Sequence, residues 1–318
     1  MILNDRVLNV TLAESDEELT GVVVKNRRRD LSFEIIRKTS EQRDRFLPKY
    51  QTQRREIYVK SVEEITNLKS AKPEKEEDED PFQNDSIANL NLFEATFIQH
   101  KKLPHKIKEE KTAAKKLGSQ KDLFYTTTTQ ADFNFLDNLI FVKKLGDNSY
   151  VSPIASTAIL AYRYKLLGSR FENGRKIYTI KVIPRKAGNA LFKGEIEVWD
   201  ELFAIKSVNL SVNKNSLIVY DGFDIYQEYG FIDSNYVVLE ETFQWKVKLP
   251  GTITEGTCIA KYSNYSWDST YSKRFFGAEV GVTKQDAYEK DTSFWAQIRP
   301  VPLTTKEQEF IQYQDSIE

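Results

Sequence analysis

Residues 236–249, YVVLEETFQWKVKL, alternate in polarity along their length. Val237, Leu239, Phe243, Trp245, Val247 and Leu249 point one way. Glu240, Thr242, Gln244, Lys246 and Lys248 point the other. A period of two is the signature of a β-strand. One apolar and one charged side belong to a sheet buried on a single face, and such sheets are antiparallel. The next segment, GTCIAKYSNYSW, reads as the return strand.

A second constraint comes from RFENGRKIYTIKVIPR, residues 170–185. Its Asn173-Gly174 pair stands between two apolar-rich runs, and a two-residue I′ turn needs φ > 0 at both central positions. In ALFKGEIEVWDELFAIKSVNLSV, a tight Asp200-Glu201 turn would pair Val198 with Phe203 and Ile196 with Ile205. The same register sets Glu195 opposite Lys206 on the polar face. With 16 Tyr and 19 Phe supporting β-structure, the chain reads as α+β: a large twisted antiparallel sheet with a few short helices packed on it.

The helices announce themselves by their caps. Asp30 precedes SFEIIRKTSEQRDRF and Pro48 comes after it, which predicts a helix between them, with strand character resuming in YQTQRREIYVKSVEEI. Ser152 and Pro153 in SPIASTAIL suit N-cap and first helical position, so a short helix is expected from 153. Thr305 and Gln308 suit a capping box for a last helix that shows Phe310, Tyr313 and Ile317 on one side. HKKLPHKIKEEKTAAKKLG has helix propensity but weak periodicity, and helix and strand both stay open there.

Chemistry-bearing motifs are scarce. A formal charge of −1 excludes a polycationic nucleic-acid binder, and a single cysteine, Cys258, excludes an internal disulfide or a Cys-rich metal site. The two histidines, His100 and His105, lie among lysines, five apart, with no ligand set around them. No G-x-S-x-G, P-loop or G-x-G-x-x-G occurs. No catalytic residue, cofactor or metal is therefore assigned, and a hydrolase using dispersed acids ranks last among the readings. KNRRR (25–29) reads as a linker or helix-start surface. SAKPEKEEDEDPFQNDS (70–86), with two prolines and an acidic run, reads as a solvated linker insert. The first residues lack a signal-peptide pattern, and no 18-residue apolar run occurs.

Four stretches together, EELTGVVVKNRRRDLSFEIIRK, YVSPIASTAILAYRYKLLG, YTIKVIPRKAGNALFKGEIEVWDELFAIKSVNLS and FWAQIRPVPLTTKEQEF, resemble an uncharacterised family of Gram-negative outer-membrane proteins. In that family a carboxypeptidase-D regulatory-like sandwich comes first, a domain of unknown function second and an outer-membrane β-barrel last. The resemblance implies that residues 1–24 are terminal strands of the sandwich. It makes 25–69 a helix and strand leading into the main domain, and 87–318 the main antiparallel-sheet domain, ending in a pre-barrel helix. It also implies the periplasmic face of the outer membrane, a barrel in cis beyond residue 318, and no catalytic residues to carry over. The middle hairpins are similar, more loosely, to the open sheet of periplasmic lipoprotein carriers, which holds acyl chains between sheet and helices. The expected function is a non-enzymatic periplasmic binding or assembly module, with a lipid- or lipoprotein-binding half-barrel as the alternative. If acyl chains bind, Tyr162, Tyr164, Ile180, Phe203 and Trp245 are the candidates to line the gap.

Overall fold

A computed structural model describes residues 30–67, 89–103, 106–118, 126–129, 132–186, 190–212, 214–277 and 280–317. The expectations for the front strands, for KNRRR, for the acidic segment 70–86 and for His105 lie outside these residues.

Helix α1 (Ser32–Gln42) opens the described chain and runs on into a 3-10 turn, Arg43–Phe46. The Asp30 carboxylate accepts hydrogen bonds from the Ser32 N–H at 2.9 Å and the Leu166 N–H at 3.2 Å. One side chain thus satisfies an orphan donor at the helix start and ties it to the sheet. Strands β1 (Thr52–Asn67), β2 (Leu90–Lys102) and β3 (Lys106–Leu117) come next, so the segment whose state was open between helix and strand is a strand. A small hairpin, β4 (Leu139–Ile140) with β5 (Tyr150–Val151), precedes helix α2 (Ala158–Ala161). A long meander then runs through β6 (Tyr162–Glu172), β7 (Arg175–Pro184), β8 (Phe192–Trp199), β9 (Ile205–Val212), β10 (Gly222–Ile232), β11 (Asn235–Leu249) and β12 (Thr252–Trp267). Strand β13 (Gly281–Thr283) and helices α3 (Thr292–Ile298) and α4 (Thr305–Ile317) finish it.

Eleven strands form one open sheet in the order β13-β3-β2-β1-β12-β11-β10-β9-β8-β7-β6, antiparallel except for the β13–β3 pair. Strand β1 sits inside the sheet, paired on one side with β2 and on the other with β12, so residues 52–67 share a sheet with the meander. The inner face carries the main core. Ile57, Val59, Phe93, Phe97, Ile225 and Phe243 meet Ile35 and Ile36 of α1 and Phe133, Phe135 and Leu136 of the covering segment. On the outer face α3 and α4 cover β1–β3: Trp295 packs on Tyr58 and Ala113, and Phe310 on Leu90, Leu92 and Leu117. Two buried ion pairs fasten that cover, Arg299 to Glu94 (2.6 Å) and Lys60 to Glu307 (2.8 Å).

The Asn173-Gly174 hairpin forms as the sequence implies, with Glu172 opposite Arg175 and φ of 50° and 75° at its two central residues. The next hairpin corrects the expectation. Its connection is a four-residue loop, Asp200–Phe203, closed at Trp199, whose N–H donates to the Ala204 carbonyl and whose carbonyl accepts from the Phe203 N–H. Glu201 and Phe203 both take positive φ there. Val198 therefore faces Ile205, and Ile196 faces Val208. Glu195 faces Asn209, and Lys206 reaches Glu172 (3.3 Å), Glu228 (3.4 Å) and Glu197 (3.9 Å) instead. Counting a two-residue turn from the sequence underestimated how far the chain bends before pairing resumes.

Two helix starts shift as well. Ser152 does accept from the Ile154 N–H (3.3 Å), but residues 153–157 form turns and regular helix begins only at Ala158. The last helix is capped one residue earlier than expected. The Thr304 hydroxyl accepts from the Glu307 N–H at 3.2 Å, and the Glu307 carboxylate accepts from the Thr304 N–H at 3.0 Å. Both sets spell a capping box, and Glu307 wins because its carboxylate also meets buried Lys60.

Candidate binding cleft

The five residues expected to line a gap are distributed through the packed interior. Tyr162 is fully buried on β6, its hydroxyl donating to the Val151 carbonyl at 2.5 Å and accepting from the Phe192 N–H at 3.1 Å. Tyr164, half-buried, donates to the Pro153 carbonyl at 2.7 Å, with its ring 6.2 Å from that of Tyr162. Ile180 is fully buried between Leu166 and Ile196. Trp245 lies over Gly256, where an added Cβ would come within 2.1 Å of the indole, and its Nε1 donates to Glu63. Phe203 sits in the β8–β9 loop beneath the Lys38 ammonium, 4.8 Å from the ring centre. The structure brings Tyr162, Tyr164 and Ile180 together on β6 and β7, and leaves Phe203 and Trp245 elsewhere. None of the five lines the cleft at the sheet's end.

That cleft, about 300 Å³, forms where three distant pieces of chain meet. The 3-10 turn and the extended backbone after it supply Arg45, Phe46, Leu47, Pro48 and Lys49. Strand β1 supplies Gln53, and β12 supplies its last residue, Trp267. The β10–β11 hairpin supplies Phe231, Ser234, Asn235 and Tyr236. Its two-residue loop puts Asp233 and Ser234 at φ of 46° and 63°, a conformation short polar side chains tolerate. Pro48 cannot continue a helix, so the backbone leaves the 3-10 turn extended and exposes Leu47 beside the rings. The floor is aromatic: Phe46 lies 5.2 Å from Tyr236 and 6.3 Å from Phe231, and Tyr229 stacks beneath Tyr236 at 5.0 Å.

Behind the floor lies a buried polar cluster. Arg55 donates to Gln99 (2.8 Å) and to the Tyr265 hydroxyl (3.4 Å), and its guanidinium covers the Tyr262 ring at 4.3 Å. Glu241 accepts from the Tyr262 hydroxyl at 2.5 Å and from the Gln227 amide, whose oxygen accepts from Tyr229. Burial pushes the Glu241 carboxyl up to about 7, although the Tyr262 hydrogen bond, Arg55 and Gln227 all favour the charged form. Glu109 is raised by burial too, offset in part by Thr128, which donates to it through both backbone and hydroxyl. The cluster joins the cleft through Tyr229, which stacks on Tyr236, and Tyr265, which stacks on Trp267 at 6.1 Å.

Sequence reasoning missed both parts. Glu241 shares the parity of Phe243 and Trp245, and an acid in an apolar register was a readable signal. The cleft had a weaker one, the run Phe46-Leu47-Pro48 flanked by Arg45 and Lys49. Among the described residues no group of three or more His, Cys, Asp or Glu is arranged to hold a metal ion. No helix there is long and apolar enough to cross a membrane.

The fold is an open, mainly antiparallel sheet of eleven strands, covered by helix and loop on its inner face and carrying a cleft at one end. The chain belongs to a family of unknown function, DUF5686, whose model matches residues 35–265. No curated protein matches it. Among solved structures it is similar to a DUF1329 family protein from Desulfovibrio piger, at 11% identity and a TM-score of 0.29, over 79% of this chain and 98% of that one. A LolA superfamily protein from Nitrosomonas europaea matches at 10% identity and 0.27, over 77% and 97%. A putative outer membrane lipoprotein-sorting protein domain from Vibrio parahaemolyticus matches at 12% and 0.29, over 76% and 95%.

Proposed function

We propose that this chain is a non-enzymatic periplasmic binding module of an outer-membrane protein, and that the cleft at the sheet's end receives an apolar guest such as the acyl chain of a lipid or lipoprotein. The observation that carries the reading is the cleft itself. Phe231 is 38% exposed and Leu47 40% exposed on the wall of a cavity of about 300 Å³, the lower end of the range for small-molecule sites. Apolar side chains gathered in a concavity and left open to water gain free energy when a guest covers them. The outer-membrane setting rests on the ordered resemblance of the four sequence stretches. A regulatory-like sandwich before residue 24 and a barrel after 318 are parts of the same proposal.

The test is direct binding of N-phenyl-1-naphthylamine, a neutral probe that fluoresces in apolar sites. The expected result is saturable enhancement by the wild-type chain and at least tenfold weaker binding by Phe231→Asp, with the far-ultraviolet spectrum unchanged. Equal binding by the two proteins, or none by either, overturns the assignment of the cleft.

A further inference from the structure

The cations around the cleft are not equivalent. Arg43 lies 3.6 Å from Asp44, and Arg54 lies 2.8 Å from Glu56. Arg45 and Lys49, which line the cleft, have no carboxylate within ion-pair distance among the described residues. Arg45 donates only to the neutral Gln42 amide, at 2.9 Å. Three acids are near in sequence to the lining residues: Asp44 beside Arg45, Asp233 beside Ser234 and Asp268 beside Trp267. Asp44 faces Arg43 instead, and none of the three lines the cleft or pairs with Arg45 or Lys49.

We infer that the cleft recognises an amphiphile with an anionic head, a carboxylate or a phosphate, seated against Arg45 and Lys49 with its chain on Phe46, Phe231 and Trp267. The inference rests on the binding function proposed for the cleft and adds the sign of the ligand's charge. Two positive side chains on one short stretch, one on each side of Phe46-Leu47-Pro48, place their charge at the mouth of an aromatic cavity. Arg presents a planar fork that matches carboxylate or phosphate oxygens, and Lys a mobile point charge. Gln53 and Asn235 add amide donors on the same lining. A neutral chain would gain the apolar contacts alone. An acid-headed chain gains these and an attraction to two cations that have no carboxylate partner among the described residues. Both cations are solvent-exposed, so the electrostatic share is modest and salt-sensitive.

The experiment displaces the naphthylamine probe with four competitors below their micelle-forming concentrations: dodecanoate, dodecyl phosphate, dodecanol and inorganic phosphate. The expected result is that dodecanoate and dodecyl phosphate compete roughly five- to tenfold better than dodecanol in low salt. The margin should vanish in Arg45→Gln/Lys49→Gln and shrink in high salt. If dodecanol competes as well as dodecanoate, the charge inference fails while the cleft reading stands. If no chain competes, the binding reading fails. If inorganic phosphate alone displaces the probe at matched concentration, the site reads free anions, and recognition of an amphiphile is wrong. A difference between dodecanoate and dodecyl phosphate that survives the double substitution would place head recognition away from these two cations and overturn the proposal as well.

Discussion

The inner face of the sheet is filled in two different ways. Over β8–β11 the filling is interlocked rings: Phe133 stacks on Phe135 and Phe223 and tilts against Phe243, and Phe135 meets Phe192 edge-on. Nearer the cleft, from β10 and β11 across β12 to β1 and β2, it is hydrogen-bonded charge: Arg55 with Gln99 and Tyr265, and Glu241 with Tyr262 and Gln227. The apolar half derives its stability from contact area and close packing, and is indifferent to pH. The polar half gains little net stability from each bond, but losing any partner leaves a buried charge or dipole unsatisfied. The cleft lies where the second kind of filling reaches the surface. A wall held by directional bonds keeps its shape without a plug of side chains in front of it.

Three measurements test this contrast. The largest effect is expected from Phe133→Ala, which removes a fully buried ring from the covering segment and should cost about 3–5 kcal/mol in urea unfolding. A cost below about 1 kcal/mol would mean that the apolar half tolerates a void, and the contrast with the polar half would collapse.

Next comes Glu241, whose folded pKa is raised to about 7 by burial. Between its ordinary value of 4.5 and about 7 the folded chain holds a proton that the unfolded chain has lost. Stability from this group therefore falls as pH rises through that window and levels off above it. Glu241→Gln removes the titration, so the variant should gain on the wild type by up to roughly 3 kcal/mol between pH 5 and pH 8. His100, whose pKa burial lowers, titrates in both proteins and cancels in the difference. Parallel pH profiles for the two chains would show that the polar half is wetter than its hydrogen bonds suggest.

The smallest effect is expected at the edge of the apolar half. Gly174 has φ of 75° and open space around its missing Cβ, so Gly174→Val imposes backbone strain without a clash. A loss of about 1–2 kcal/mol in thermal unfolding is expected. A neutral result would mean that the hairpin tip relaxes freely and that edge strand β6 is loosely held.

How much could be read in the sequence depends on the range of the forces involved. The Asn173-Gly174 turn is local and appears as the residues imply. The alternation of β11 holds from Glu241 to Val247, but an irregularity at Glu228 and Tyr229 shifts the register beyond it, so Tyr236 and Val238, not Val237, face Phe231 and Tyr229. The β8–β9 register went astray because Phe203, apolar and next to a strand, adopts φ of 49° and belongs to the loop. Glu241 broke an apolar pattern that its neighbours kept. The acid is tolerated because Tyr262, from the next strand, and Gln227, from the previous one, supply donors that no single segment reveals. The cleft was least visible. Phe46, Phe231 and Trp267 meet only after the whole sheet has formed, and each alone looks like ordinary core.

The insertion of β1 between β2 and β12 also dictates an order of events. Val59 faces Ala95 on one side, within the first part of the chain, and Ala260 on the other, beyond the entire meander. A chain made or threaded from its N-terminus therefore carries β1 with one row of backbone donors and acceptors unpaired until residues 252–267 arrive. Long-range strand pairing of this kind is slow, because the loop must close before any contact rewards it. Until then β1 is an exposed sheet edge, open to the wrong neighbour. Strand β12 is the closing piece: it joins the hairpin stack to the first three strands, and with Trp267 it sets the last wall of the cleft. The cleft therefore cannot form before β12 has paired with β1 and β11.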